Sequence, residues 1–189
     1  MKQILVIAGS PRKGANSDCL ANTVSEAVRH AGAEAKQIWI RDMTFGGCVV
    51  CDSCKGETFG CVQKDDFTAL LDTIRNCDGM VLVSPIYFEG IPGNFKNYID
   101  RHYCLFNPAA KEPVVPVKNR RLGVIFTFGG EHPEYERVAG SLFTSMKMLG
   151  LATEHQYLAT NGNFAPDSVS KKEDILNKAR EIGRWAAEA

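Results

Sequence analysis

Ile4-Leu5-Val6-Ile7-Ala8-Gly9-Ser10-Pro11-Arg12-Lys13-Gly14-Ala15-Asn16-Ser17 passes from an apolar block straight into a polar turn, and that passage decides the fold. A short unbroken run rich in β-branched residues suits a parallel strand buried on both faces; a half-exposed strand would alternate apolar with polar. Gly9 to Asn16 is a turn, after which Ser17 or Asn16 caps a helix carrying Leu20, Val24, Ala27 and Val28 at helical spacing as far as Gly32.

The same alternation continues outward. Lys36 to Ile40 reads as a second strand, and residues 41–65 hold little periodicity but four cysteines. Asp66 opens a helix through Leu70, Leu71 and Ile74, and Gly79 to Ser84 is another buried strand, ended by Ser84-Pro85. A third helix is expected from about Pro92 through Phe95, Tyr98 and Ile99 toward Cys104. Leu122 to Phe128 is a strand closed by Gly129-Gly130, followed by a helix over 135–149, a weaker strand over 153–157 and a helix over 170–187. Strand and helix in turn imply an α/β three-layer sandwich in which crossovers cover both faces of a five-stranded parallel sheet. The expected order is 2-1-3-4-5, with the ligand beyond the carboxyl ends of the strands at the switch point between the first and third. The informative loops are therefore 9–17, 84–93 and 127–133. One domain over 1–189, with a cysteine-rich loop at about 41–65, is the expected organisation.

Composition narrows the partners. Lys plus Arg equals Asp plus Glu at 22 each, so no global positive field gathers nucleic acid or an anionic membrane, and anion binding has to be local. The apolar stretch Ile4 to Gly9 is too short for a signal segment, and no run approaches the ~20 apolar residues that span a bilayer. The expected location is cytoplasmic. There, seven cysteines read as thiols, metal ligands or redox groups rather than disulfides.

At the first loop, hydroxyls, a side-chain amide, backbone N–H groups and two cations meet at one helix N-terminus, each stabilising an anion. Arg12 can grip a phosphate with two prongs, and Ser10 and Ser17 can donate from their hydroxyls. The expected guest is a phosphate monoester. The loop fits neither G-x-G-x-x-G nor G-x-x-x-x-G-K-[ST], which disfavours a dinucleotide or ATP; the plain alternative is a βα turn with a capped helix.

The Gly-Ser-Pro-Arg-x-x-x-Asn-Ser loop, with Ser84-Pro85-Ile86-Tyr87-Phe88 and Phe95-Lys96-Asn97-Tyr98-Ile99-Asp100-Arg101, resembles the NADPH-dependent FMN reductase family of flavodoxin-like proteins over most of the chain. The resemblance implies that Ser10, Arg12, Asn16 and Ser17 hold the FMN phosphate and that Pro85, Ile86, Tyr87 and Phe88 pack along the isoalloxazine ring. Backbone groups of Ile86, Tyr87 and Phe88 are candidates for the pyrimidine edge, with Gly90 and Gly93 allowing close approach. Thr127, Gly129 and Gly130 are the natural third contact, or simply a helix-entry turn. The resemblance also implies a homodimer or homotetramer with the flavin near a subunit boundary.

Cys48-Val-Val-Cys51-Asp-Ser-Cys54 followed by Cys61 gives C-x2-C-x2-C-x6-C, which brings four thiolates within reach of one centre. It resembles the iron-sulfur flavoprotein branch of the same family, and so implies a 4Fe-4S cluster on Cys48, Cys51, Cys54 and Cys61. Zinc and free redox-active thiols stay open as alternatives. Cys19, Cys77 and Cys104 read as small core residues. His102 and His132, near loops that could face the flavin, read as structural or solvated.

The expected function is an FMN-dependent oxidoreductase or electron-transfer flavoprotein, with NAD(P)H or a ferredoxin-like protein as donor and a small-molecule acceptor. The flavin carries the chemistry, so no general acid or nucleophile is expected. A cluster-free NAD(P)H-dependent FMN or quinone reductase and a non-catalytic redox- or metal-sensing flavin module are the alternatives. A phosphatase would need a nucleophile and a nearby acid at the anion loop, and neither is there.

Overall fold

The computed structural model describes residues 1–55, 60–131 and 135–188. Five parallel strands, β1 (Gln3–Ala8), β2 (Glu34–Trp39), β3 (Gly79–Pro85), β4 (Arg121–Thr127) and β5 (Glu154–Thr160), lie in the order β2-β1-β3-β4-β5, the order expected from sequence. Five helices accompany them: α1 (Asn16–His30), α2 (Asp66–Asn76), α3 (Gly93–Arg101), α4 (Tyr135–Met148) and α5 (Glu173–Ala187).

The period of two in a strand divides β1 between two cores. Ile4, Val6 and Ala8 pack with Leu20, Val24 and Val28 of α1 and Leu176 and Ile182 of α5. Leu5 and Ile7 face the other way, onto Phe67, Leu71 and Ile74 of α2, Phe95 and Tyr98 of α3, and Leu142 and Met146 of α4. The unbroken apolar runs of β1 and β3 are thus explained by helices on both sides. α1 and α5 come close enough that a Cβ on Gly183 would stand 2.8 Å from the Val24 carbonyl oxygen.

Several boundaries differ from the sequence reading. The third helix stops at Arg101, and a 3-10 turn over His102–Leu105 carries the chain into a short hairpin, Phe106–Asn107 with Glu112–Pro113, that periodicity gave no sign of. β5 is an edge strand and runs on to Thr160, past the expected end at Tyr157. Glu154 to Tyr157 are exposed, so only Leu158 and Thr160 carry the burial signal. α2 begins with a capping box, in which the Asp65 carboxylate accepts from Thr68 N–H while the Thr68 hydroxyl accepts from Asp65 N–H.

Arg120 is fully buried just before β4. Its guanidinium donates to the carbonyl oxygens of Cys77 (2.9 Å), Pro116 (2.9 Å), Arg75 (2.7 Å) and Gly150, tying the end of α2, the 116 loop and the turn after α4 to the sheet. No described helix is long and apolar enough to cross a membrane.

Candidate functional site

The carboxyl ends of β1, β3, β4 and β5 open onto a cavity of about 240 Å3. Ser10, Arg12, Asn16, Ser17, Pro85, Ile86, Tyr87, Thr127 and Gly129 line it, together with Ala15, Phe128, Asn163 and Phe164. The three loops singled out in the sequence do converge. Phe88, Gly90 and Gly130 lie outside this lining.

On the first loop, Gly9 lets β1 pass against α3, since a Cβ there would sit 2.4 Å from the Phe95 ring. Beyond it the turn is held from within. Gly14, at φ +68°, donates its N–H to Asp18 Oδ2 at 2.6 Å, and Asp18 Oδ1 accepts from Arg41 at 2.8 Å. Arg41 also donates to the Arg12 carbonyl and lies over the Trp39 ring. The N-cap of α1 is Ala15 rather than Asn16 or Ser17, and it supplies no side-chain hydrogen bond. The first N–H groups of the helix are therefore left for a ligand, which is how helix N-termini take anions. The Asn16 side chain, expected at the phosphate, is committed elsewhere. Its amide donates to the Ala165 carbonyl at 2.8 Å and accepts from Val169 N–H at 2.9 Å, clasping the loop that follows β5.

The wall after β3 is shaped by a two-residue turn. Tyr87 N–H donates to the Gly90 carbonyl (2.9 Å) and Gly90 N–H to the Tyr87 carbonyl (3.1 Å), while Phe88 and Glu89 between them are both left-handed, at φ 45° and 62°. The left-handed positions thus fall on Phe88 and Glu89 and not on glycine, a costly choice for a bulky side chain. Phe88 stands wholly exposed at the tip. Of the N–H groups considered for a pyrimidine edge, that of Ile86 already meets the Thr127 carbonyl and that of Tyr87 the turn.

Asn163 and Phe164 escaped the sequence reading. Gly162 N–H bonds the Gly129 carbonyl at 2.7 Å and Asn163 N–H the Phe128 carbonyl at 3.0 Å, so the loop after β5 is zipped to the loop after β4. The signal available was topological: that loop too leaves the carboxyl edge of the sheet.

The lining fits FMN. Hydroxyls, an uncapped helix N-terminus and a cation face the β1–α1 side, proline, aliphatic and aromatic side chains form the β3 side, and the buried Thr127 Oγ1 has no hydrogen-bond partner in the protein. A buried hydroxyl without a partner costs stability unless a ligand takes it.

The second centre is the cysteine loop. Cys48, Cys51, Cys54 and Cys61 line one small cavity of about 20 Å3, and so do Arg101, Tyr103 and Cys104. All are free thiols. Left-handed residues alternate at Val50 and Asp52, and such alternation can cup backbone N–H groups around an anion, as at many iron-sulfur sites. Hydrogen bonds from Ser53 pull the Cys51 thiol below its ordinary value, while burial raises that of Cys54. Cys104, read as a core residue, is buried yet lines the cavity, and burial with Cys61 and Cys54 nearby pushes its thiol up to about 11. Among the described residues no three Cys, His, Asp or Glu side chains stand close enough to hold a single metal ion. His132 lies outside the described residues.

A parallel sheet of this order, with a β1–α1 loop open at a helix N-terminus and an apolar wall after β3, defines a flavodoxin-like α/β fold whose cavity is a candidate flavin site. The family model for NADPH-dependent FMN reductases matches residues 2–163. An iron-sulfur flavoprotein of Methanocaldococcus jannaschii is 32% identical over 98% of this chain and 96% of its own. Another, of Archaeoglobus fulgidus, is 29% identical over 98% and 94%. A solved NAD(P)H:quinone oxidoreductase from Methanothermobacter marburgensis superposes with a TM-score of 0.71 at 17% identity, over 97% of this chain and 98% of its own. The chain belongs to the NADPH-dependent FMN reductase family, on the branch with relatives named iron-sulfur flavoproteins, and is an FMN-dependent oxidoreductase.

Proposed function

We propose that this chain is a single domain that passes electrons through FMN between an NAD(P)H or ferredoxin-type donor and a small-molecule acceptor, with a 4Fe-4S cluster on Cys48, Cys51, Cys54 and Cys61. The observation that carries the cluster is that all four motif thiols, free of disulfides, line one cavity. Bound there, the cluster exchanges single electrons and FMN joins one- to two-electron chemistry. The chain's own part is to hold and orient. The uncapped start of α1 with Ser10, Arg12 and Ser17 takes the phosphate, Asp18 and Arg41 brace that loop, Pro85, Ile86 and Tyr87 wall the ring, and Thr127 offers its hydroxyl. The exposed Phe88 and Phe164 beside the cavity favour a homodimer or homotetramer in which a second copy covers the flavin rim.

Iron, acid-labile sulfide and zinc content, measured with the visible spectrum on protein purified without oxygen, tests the reading. About four irons and four sulfides per chain are expected. A flavin spectrum with no metal leaves a cluster-free reductase, and one zinc per chain replaces the cluster outright.

Arg12→Ala removes a charge-assisted contact worth ~1.5–3 kcal/mol, so FMN affinity of the apoprotein should fall tenfold or more, read by flavin fluorescence quenching. Unchanged affinity removes Arg12 from the phosphate site.

A further inference from the structure

Arg101 is the largest charged group at the cysteine cavity, and nothing in the flavin site uses it. It closes α3 and is almost wholly buried. Nη2 donates to Cys61 Sγ at 3.3 Å and to Asp65 Oδ1 at 3.0 Å, while Nη1 donates to Asp65 Oδ2 at 2.7 Å and the Gly46 carbonyl at 2.9 Å. The guanidinium lies 4.8 Å from the Phe67 ring centre, and its Nε–H, also buried, has no acceptor in the protein. Asp65 is itself fixed as the N-cap of α2. Burial pulls its carboxyl upward, but the hydrogen bonds from Arg101 and Thr68 N–H outweigh that and hold it below its ordinary value, so it stays an anion.

A two-pronged ion pair seated on a capped helix gives the guanidinium one geometry. That geometry directs one N–H at the sulfur of a motif cysteine. If packing alone were the need, an apolar residue of similar volume would serve at less desolvation cost. We propose that Arg101 is a positioning residue for the iron-sulfur centre: it fixes Cys61 and, with Asp65 as its counter-charge, sets how readily the cluster takes an electron. This rests on the cluster reading above. A donor on a ligating sulfur, and positive charge beside it, stabilise the more negative reduced form; hydrogen bonds to sulfur and local charge are recognised levers on such potentials.

The two partners pull in opposite directions, which separates tuning from bracing. Arg101→Gln leaves Asp65 uncompensated and removes the donor, so the reduced-to-oxidised ratio of the cluster at a fixed potential should fall about tenfold, ~59 mV for a one-electron couple. Asp65→Asn keeps the cap and frees the positive charge, so that ratio should rise. Arg101→Lys keeps charge without the fork and should fall between wild type and Arg101→Gln. The measurement is a redox titration followed by electron paramagnetic resonance, beside iron content, FMN content and thermal melting of each variant. Shifts of opposite sign support the proposal. Wild-type potentials in variants that retain iron, or shifts of one sign in both, overturn it and leave the cluster reading standing. A wild-type protein that takes up no iron overturns both. Should Arg101→Gln fail to fold, the sign in Asp65→Asn decides: a fall or no change overturns the proposal.

Discussion

Arg120→Met should lower the unfolding free energy by about 4 kcal/mol or more, read by urea denaturation at neutral pH. The substitution preserves bulk and removes an expensive buried charge, and either change alone could be neutral. What makes it severe is the set of acceptors left behind. The carbonyls of Arg75, Cys77, Pro116 and Gly150 all bond this one guanidinium, and each unpaired buried acceptor costs ~1–3 kcal/mol. Against a total of roughly 5–15 kcal/mol for a domain, the variant sits near the edge of folding. Arg120→Lys, whose ammonium can still reach some of those carbonyls, should lose less. A methionine variant within about 1 kcal/mol of wild type would mean that the carbonyls find other partners, and the arginine would then be filler rather than a hub.

The second large effect is acid lability above the carboxylate range. His102 is fully buried between the rings of Phe67 and Tyr98, at 5.2 and 4.7 Å. Its Nδ1 lies 2.8 Å from the Tyr98 carbonyl, which can only accept, so the proton sits on Nδ1 and Nε2 faces the interior with no partner. Burial pushes the imidazole down to about 4 from an ordinary value near 6.5. Between those values the unfolded chain binds a proton that the folded one refuses, so stability rises with pH across the window and is lost on acidification through it. The full loss is roughly 3 kcal/mol. Comparing urea midpoints at pH 7 and pH 4.5 should show most of it, and His102→Gln should flatten the slope. Asp65 and Asp78, both held below their ordinary values, add a separate loss only as pH falls beneath about 4. A wild-type midpoint that is level between pH 7 and pH 4.5 would contradict a neutral, partnerless His102.

Local pattern carried the sheet because parallel strands buried on both faces are written as contiguous apolar runs, as in Ile4 to Ala8 and Met80 to Val83. The edge strand was legible only in part: its outward-facing residues through Tyr157 were read as strand, and Leu158 to Thr160 beyond them were not. The same contrast holds at the sites. Ser10, Arg12 and Ser17 belong to one turn, and Cys48, Cys51 and Cys54 to one short motif, so their spacing announced them. Asn163 and Phe164 meet the cavity through a turn more than a hundred residues away. Arg101 and Cys104 reach the motif cysteines from the end of α3. No spacing rule links such pairs. Asn16 shows the converse limit: its place in the motif was plain, but which partner its amide would take depended on the distant loop over 161–169.

That clasp has a bearing on how the protein is made. The Asn16 side chain completes its bonds with residues 147 to 153 positions further along, and the apolar stripe of α1 is covered by α5. At ribosomal speeds of about 5–20 residues per second, roughly 8 to 30 seconds separate the emergence of the phosphate loop from that of its fastener. Throughout that interval Leu20, Val24 and Val28 pack on β1 but lack the cover that α5 supplies. The nascent chain can form β1, α1 and β2, but it cannot close the cavity, so flavin loading belongs after translation of the loop beyond β5.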